Sequence, residues 1–140
     1  MPVVTHKFSL DMKGDTHIEN VTAEVRRALQ ATELRAGLVT VFVKHTTASV
    51  MIIEDEPGLR ADSKTLWDRL IPSDPLWQHN LRNFGEDNAH SHLRGQIQGS
   101  SITVPFTDQD LTLGTWQEIV IVDFDTRART REVIVQIMGE

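Results

Sequence analysis

The last third of the chain is a succession of short apolar segments broken by tight polar turns, and it leaves little freedom of fold. "SITVPF", "LTLG", "TWQEIVIVDFD" and "REVIVQI" are set apart by "TDQD" and "TRAR". Residues two apart share one face of a strand, and connections this short join strands that run antiparallel. The N-terminus repeats the pattern, with Val4, His6, Phe8, Leu10 and Met12 alternating with Thr5, Lys7, Ser9 and Asp11. In "LVTVFVKH" another row, Val39, Val41, Val43, ends on His45, and the apolar run "VMIIE" ends on Glu54.

Helical spacing fills the gaps. Val21, Val25, Ala28 and Leu29 predict a short amphipathic helix from about Thr22 that ends before Gly37, and Leu59, Leu66, Trp67 and Leu70 predict one that stops at Pro72. Ala89, Leu93 and Ile97 recur every four residues ahead of Gly99 and predict a third. Residues 72–86, "PSDPLWQHNLRNFGE", are expected to form a long irregular connection of the kind that often carries function. A chain of 140 residues supports one core. The expectation is therefore a single domain over 1–140 of the α+β class, β-rich, an antiparallel β-sandwich or barrel-like domain. It should hold seven or eight strands and about three short helices.

Charge and composition narrow the function classes. Twenty acidic residues against fourteen basic ones leave a net charge of -6, and the only basic series is Arg127, Arg129, Arg131. A nucleic-acid partner needs a clustered positive footprint and is not expected; a small anion needs only a few arginines. There is no cysteine, so any metal must be held by His, Asp and Glu. Neither a secretory leader pattern nor an apolar run of about 18 residues is present, so a cytoplasmic protein without a membrane partner is expected.

The chemistry-bearing candidates are few. Neutral imidazole binds metal ions and acts as a base near neutral pH, so His45, His90 and His92, at the ends of elements, are candidates. For these three a site role and a structural role both stand; His6, His17 and His79 are read as structural. On a strand His90 and His92 would share a face, but the helical period puts them on different sides of a helix's first turn. At most one of them then joins His45 at a metal. Asp87 is expected to cap that helix and is also a site candidate. Glu54 is either exposed at a strand end or held at a site as base or ligand. In "LGTWQ", Gly114 permits close approach, and Trp116 and Gln117 offer a stacking surface beside an amide; a kinked strand with a core Trp would read the same. The arginine series is either a solvated hairpin or an anion clamp. Phosphate-binding Gly-rich loops, nucleophile elbows and "HExxH" are absent.

Taken in order, "HTTAS" (His45 to Ser49), "IIE" with Glu54, "DNAHSHL" (Asp87 to Leu93), "GSSITVP" (Gly99 to Pro105) and "LGTWQ" closely resemble the YjbQ family. The resemblance runs over almost the whole chain. It implies a β-rich, sandwich-like α+β fold, a homotrimer with sites near subunit boundaries, and a secondary thiamine-phosphate synthase activity. It marks His45, Glu54, Asp87, His90 and His92 as the polar site. By the same resemblance a divalent metal, Zn or Mg, would sit at His45, His90 and His92. Glu54, Asp87 and His92 would be catalytic, and Thr46, Thr47, Trp116, Gln117 and Arg129 would bind substrate. Ile53 and Asp55 flank Glu54 where members commonly carry amides, and Glu86 precedes Asp87 where glycine is common.

The leading expectation is a transferase that joins a hydroxymethylpyrimidine diphosphate to a thiazole phosphate and releases diphosphate. A metal-dependent hydrolase of a small phosphorylated metabolite, with Glu54 as base, is the first alternative. A non-catalytic trimeric small-anion-binding protein is the second.

Overall fold

A computed structural model describes residues 1–140. Chain order is β1 (Val3–Met12), β2 (His17–Asn20), α1 (Thr22–Gln30), β3 (Ala36–Val43), β4 (Ala48–Ile53), α2 (Pro57–Leu70) and α3 (Gln78–Arg82). The remainder is α4 (Ala89–Gln98), β5 (Ser101–Thr107), β6 (Asp110–Leu111), β7 (Glu118–Asp123) and β8 (Arg129–Gly139). Two antiparallel sheets result, one in the order β1-β8-β3-β5-β6 and one in the order β2-β7-β4.

β8 is the strand on which the larger sheet is registered. Ile137 lies opposite Val4 on one side and Val39 on the other, and Val133 lies between Phe8 and Val43. Directly opposite residues share a face, so Val39, Val41 and Val43 point inward with Val133, Val135 and Ile137. Val25, Ala28 and Leu29 of α1 and Ile119 and Ile121 of β7 join them in a core of 19 buried residues. The alternate residues of β7, Val120 and Val122, face the other way and pack with Ile18, Met51, Trp67, Ile71 and Phe124. Trp67 meets Phe124 edge to face with ring centroids 5.1 Å apart. The smaller sheet is thus buried on both faces, which is why "EIVIVDF" reads as an unbroken apolar run rather than an alternation.

Four helices form, where about three were expected. The extra one, α3, falls in the supposedly irregular stretch 72–86; it is five residues long and buries no side chain, so no apolar period announces it. Asp87 does not cap α4. Asn88 occupies that position without a capping side-chain bond, and the Ala89 N–H is met instead by Asn80 Oδ1 at 3.1 Å. No helix is long and apolar enough to cross a membrane.

Candidate functional site

One end of both sheets gathers the charged residues. Arg131 continues the inward row of β8 beyond Val133 and is therefore delivered to the core side, only 2% exposed. Its Nε and Nη2 donate to Asp123 Oδ2 and Oδ1 at 2.9 and 2.7 Å, and Nη2 also donates to Thr47 Oγ1 at 2.8 Å. Thr47 passes the bond on to Asp125 Oδ2 at 2.9 Å, where Arg129 Nε also donates at 2.6 Å. Asp125 Oδ1 accepts from Asn88 Nδ2 at 3.2 Å and from the Thr126 N–H at 2.7 Å. Burial alone would raise the Asp125 carboxyl. The Thr126, Thr47 and Asn88 donors and the Arg129 charge outweigh it, so the pKa lies below the ordinary value and the group stays ionised.

Above this network lies a cavity of about 750 Å³. The segment between β3 and β4 contributes Lys44, His45, Thr46 and Thr47; α3 contributes His79 and α4 contributes His92; Glu86, Asn88, Asp125, Arg129, Thr130 and Arg131 complete the wall. No lining side chain is hydrophobic. A smaller cavity of about 310 Å³ adjoins it through His79 and His92, and one of about 290 Å³ through His45, Thr46 and His92. His92 alone lines all three.

Two of the cavity's histidines, His45 and His92, have their pKa held below the ordinary value. Burial pushes the His92 pKa down, with the neighbouring His79 adding to it, and the two rings lie 4.6 Å apart between centroids. Burial followed by the Arg131 charge lowers His45. His45 Nε2 accepts the backbone N–H of Glu132 at 2.9 Å, which places the proton of the neutral ring on Nδ1. His79 Nε2 meets Asn88 Oδ1 at 3.3 Å and joins the ring to the Asp125 network. With their pKa values lowered, His45 and His92 stand as neutral imidazoles near neutral pH, able to accept a proton or a hydrogen bond beside fixed cations.

Comparison with known proteins now fits this architecture. The family described as UPF0047 protein YjbQ-like matches residues 6–140. The chain belongs to the YjbQ family. A UPF0047 protein of Methanothermobacter thermautotrophicus is 31% identical over 140 residues, covering 100% of this chain and 95% of that one. One of Archaeoglobus fulgidus is 36% identical over 133 residues, 94% of this chain and 100% of the relative. Among solved structures, a YbjQ-like protein of Sulfolobus solfataricus superimposes with a TM-score of 0.93 at 29% identity, covering 99% of each chain. A hypothetical protein of Aeropyrum pernix gives 0.90 at 35% identity over 98% of this chain and 99% of that one.

Within this YjbQ chain the expected site residues separate into four places. His45, Thr46, Thr47, His92 and Arg129 line the large cavity together. His90, two residues from His92 and so about 200° around α4, is buried on another side of the helix, where its Nδ1 has no partner. Asp87 is exposed; it accepts from Thr126 Oγ1 at 2.8 Å and lies 3.8 Å from Arg127. Glu54 is exposed, and Trp116 and Gln117 are exposed just ahead of β7. Ile53 pairs with Glu118 and Ala48 with Asp123, so Glu54, Trp116 and Gln117 sit at the far end of the β4–β7 pair from His45 and Asp125. Six strand residues put that separation at about 20 Å.

No three of the chain's His, Asp and Glu side chains are grouped to hold a metal ion. With His45 Nε2 engaged by Glu132 and His90 away from the cavity, the His45, His90 and His92 set does not converge within one chain. The residues that sequence reasoning missed are Asp125, Asn88, Lys44, Glu86, Thr130 and His79, the last assigned a purely structural role; Arg131, named in the arginine series as part of an anion clamp, is instead a buried partner of Asp123. Arg131 and Asp125 did leave a signal: each is a charge placed at the end of an apolar row, and the two rows are joined by one short turn.

Proposed function

We propose that the large cavity binds a small phosphorylated metabolite and that the protein is a secondary thiamine-phosphate synthase-like transferase. The observation that supports this is the lining. Lys44 and Arg129 reach a space free of hydrophobic side chains, while Arg131 is already committed to Asp123 and Asp125 in its floor. Arg129 meets Asp125 through Nε and Lys44 lies 3.3 Å from Glu132, both with side chains still about half exposed, so each has donors left to match phosphate oxygens, and neutral His45 and His92 add two further polar rings.

In the proposed reaction the C–O bond between the pyrimidine methylene and the diphosphate breaks, its electron pair leaving on the diphosphate. The thiazole nitrogen forms the new C–N bond to that carbon. Lys44 and Arg129 neutralise the departing charge, and the cavity holds the two partners in reach of one another. Lys44 and Arg129 are the chain's own share of that neutralisation, and a divalent ion held at the cavity would add to it.

The resemblance also suggests a homotrimer, and two features support it. Val3, Leu38, Phe42, Ile134 and Met138 lie on the outer face of the five-stranded sheet by their register, and no element covers that face. Glu54, Trp116 and Gln117 can serve the same site as His45 and His92 only if two copies meet. For the hydrolase alternative this removes Glu54 as the base of its own chain's cavity.

The test is a steady-state assay with the paired pyrimidine diphosphate and thiazole phosphate, reading released diphosphate, on wild type, His92→Ala and Arg129→Gln. A loss of kcat/KM of at least about 100-fold in each is expected. Unchanged turnover in both sinks the reading. Cleavage of a phosphate ester without coupling would favour the hydrolase, and ligand-dependent stabilisation with no turnover would favour the binding protein.

A further inference from the structure

The cavity of about 310 Å³ on the other side of the His79–His92 pair differs in kind from the large one. Trp77, Ala89 and Leu93 give it an apolar wall, with Gln78 and Gln96 at its edges. Its size is at the small end of the range of about 300–1,000 Å³ that small-molecule sites occupy. The Trp77 indole is tethered, Nε1 donating to the Pro72 carbonyl at 3.2 Å, so a flat surface stands ready without an ordering step on binding. The two shared rings, His79 and His92, are aromatic as well and form the partition between a polar space and an apolar one.

We infer that this pocket is a subsite for the flat aromatic or heteroaromatic part of the molecule whose phosphate occupies the large cavity, with His92 at the junction. The inference rests on the anion-binding reading of the large cavity. It identifies the ligand class as bipartite, a ring joined to a phosphate by a short linker, because the two compartments touch only across the width of two imidazoles. An apolar pocket that shares the His79 and His92 rings with a polar cavity lined by Lys44 and Arg129 suits such a molecule better than a purely polar sugar phosphate, which would leave Trp77 and Leu93 facing hydroxyl groups. It also provides an aromatic contact from the chain's own α3 region, independent of Trp116, which stands at the other end of the sheet.

The experiment compares inorganic phosphate with benzyl phosphate on the intact protein, by calorimetry and by NMR of the Trp77 indole and Leu93 methyl signals. Benzyl phosphate is expected to bind at least about tenfold tighter than phosphate, the gain coming from ring burial. It should shift the Trp77 and Leu93 signals, whereas inorganic phosphate leaves them in place. Trp77→Ala should remove the gain while keeping phosphate affinity, and Arg129→Gln should weaken both ligands. If phosphate itself does not bind, the anion-site reading fails. If phosphate binds but the ring adds nothing, or adds its gain without moving Trp77 and Leu93, the subsite is overturned and the anion site stands. The NMR comparison on wild type decides the matter even where Trp77→Ala fails to fold.

Discussion

Arg131 and Asp123 form a two-point ion pair, at 2.9 and 2.7 Å, inside a protein that gives neither side chain to solvent. The pair sets the floor of the cavity, because Asp123 Oδ1 also accepts the Asp125 N–H at 3.0 Å and Arg131 also holds Thr47. Removing Asp123 leaves the buried Arg131 with only the longer 3.6 Å contact to Asp125 and its bond to Thr47. Asp123→Ala is therefore expected to cost about 3–5 kcal/mol of stability, read from urea unfolding at neutral pH. The double variant Asp123→Leu with Arg131→Met should cost distinctly less, since no stranded charge remains. Equal losses in the single and double variants would contradict this account.

Much of the fold could be read from the sequence because its strands have simple faces. β1 and β8 alternate cleanly, and β7, buried on both sides, shows the continuous run that such burial requires. The site was legible where it lay at an element's end, as with His45 and His92. It was obscure where a role depended on pairing: Asp125 and Arg131 each resemble hairpin surface residues until the turn between β7 and β8 brings them together. The same argument from a charge ending an apolar row pointed to Glu54. There the strand simply ends before Glu56, whose carboxylate accepts the Gly58 N–H at 3.0 Å to start α2, and Glu54 stays in solvent. His79 could not be read at all, since its contact with His92 follows from the path of residues 72–86.

The closeness of α4 to the His45 segment supplies a second prediction. A Cβ added to Gly95 would lie 2.8 Å from the Thr46 carbonyl oxygen, nearer than packing allows. In an unpacked helix Gly→Ala would gain about 1 kcal/mol. Gly95→Ala is instead expected to lose about 1–2 kcal/mol as the helix is pushed off the 45–47 segment, and to lower kcat/KM by moving His92 away from His45. A higher melting temperature with unchanged activity would refute the contact.

Acid stability follows from the three lowered histidines. Burial holds His45, His90 and His92 below the ordinary value of 6.5, with Arg131, Arg94 and His79 respectively adding to the effect. Above that value both folded and unfolded chains carry these rings neutral and pH has no leverage through them. Below it the unfolded chain takes up protons first, so stability falls as pH falls, until the folded values are passed. The urea midpoint should thus be flat between about pH 7 and 8 and decline from about 6.5 towards 5, and His90→Gln should make the decline shallower. Loss through Asp125, whose pKa is also lowered, belongs to a separate and more acidic window beneath 3.8. A midpoint that is constant or rises on acidification from 6.5 to 5 would be inconsistent with neutral buried imidazoles.

The last prediction concerns assembly, and it separates two explanations of Trp116. Standing 71% exposed at the far end of β7, that indole is either an idle surface residue or part of a neighbour's site. Light scattering should give a mass of three times the 15.8 kDa chain, and Phe42→Lys, placed on the uncovered sheet face, should lower it. Complementation then tests sharing of the site. His92→Ala and Trp116→Ala should each be inactive alone. If a site combines His92 of one copy with Trp116 of the next, co-expressed chains regain activity, because a Trp116→Ala copy beside a His92→Ala copy restores one intact pairing. Random mixing in a cyclic trimer makes that about a quarter of all sites. Recovery near that level supports a cavity completed by a neighbour. Full activity of Trp116→Ala alone, or no recovery on mixing two folded variants, would place the whole site within one chain.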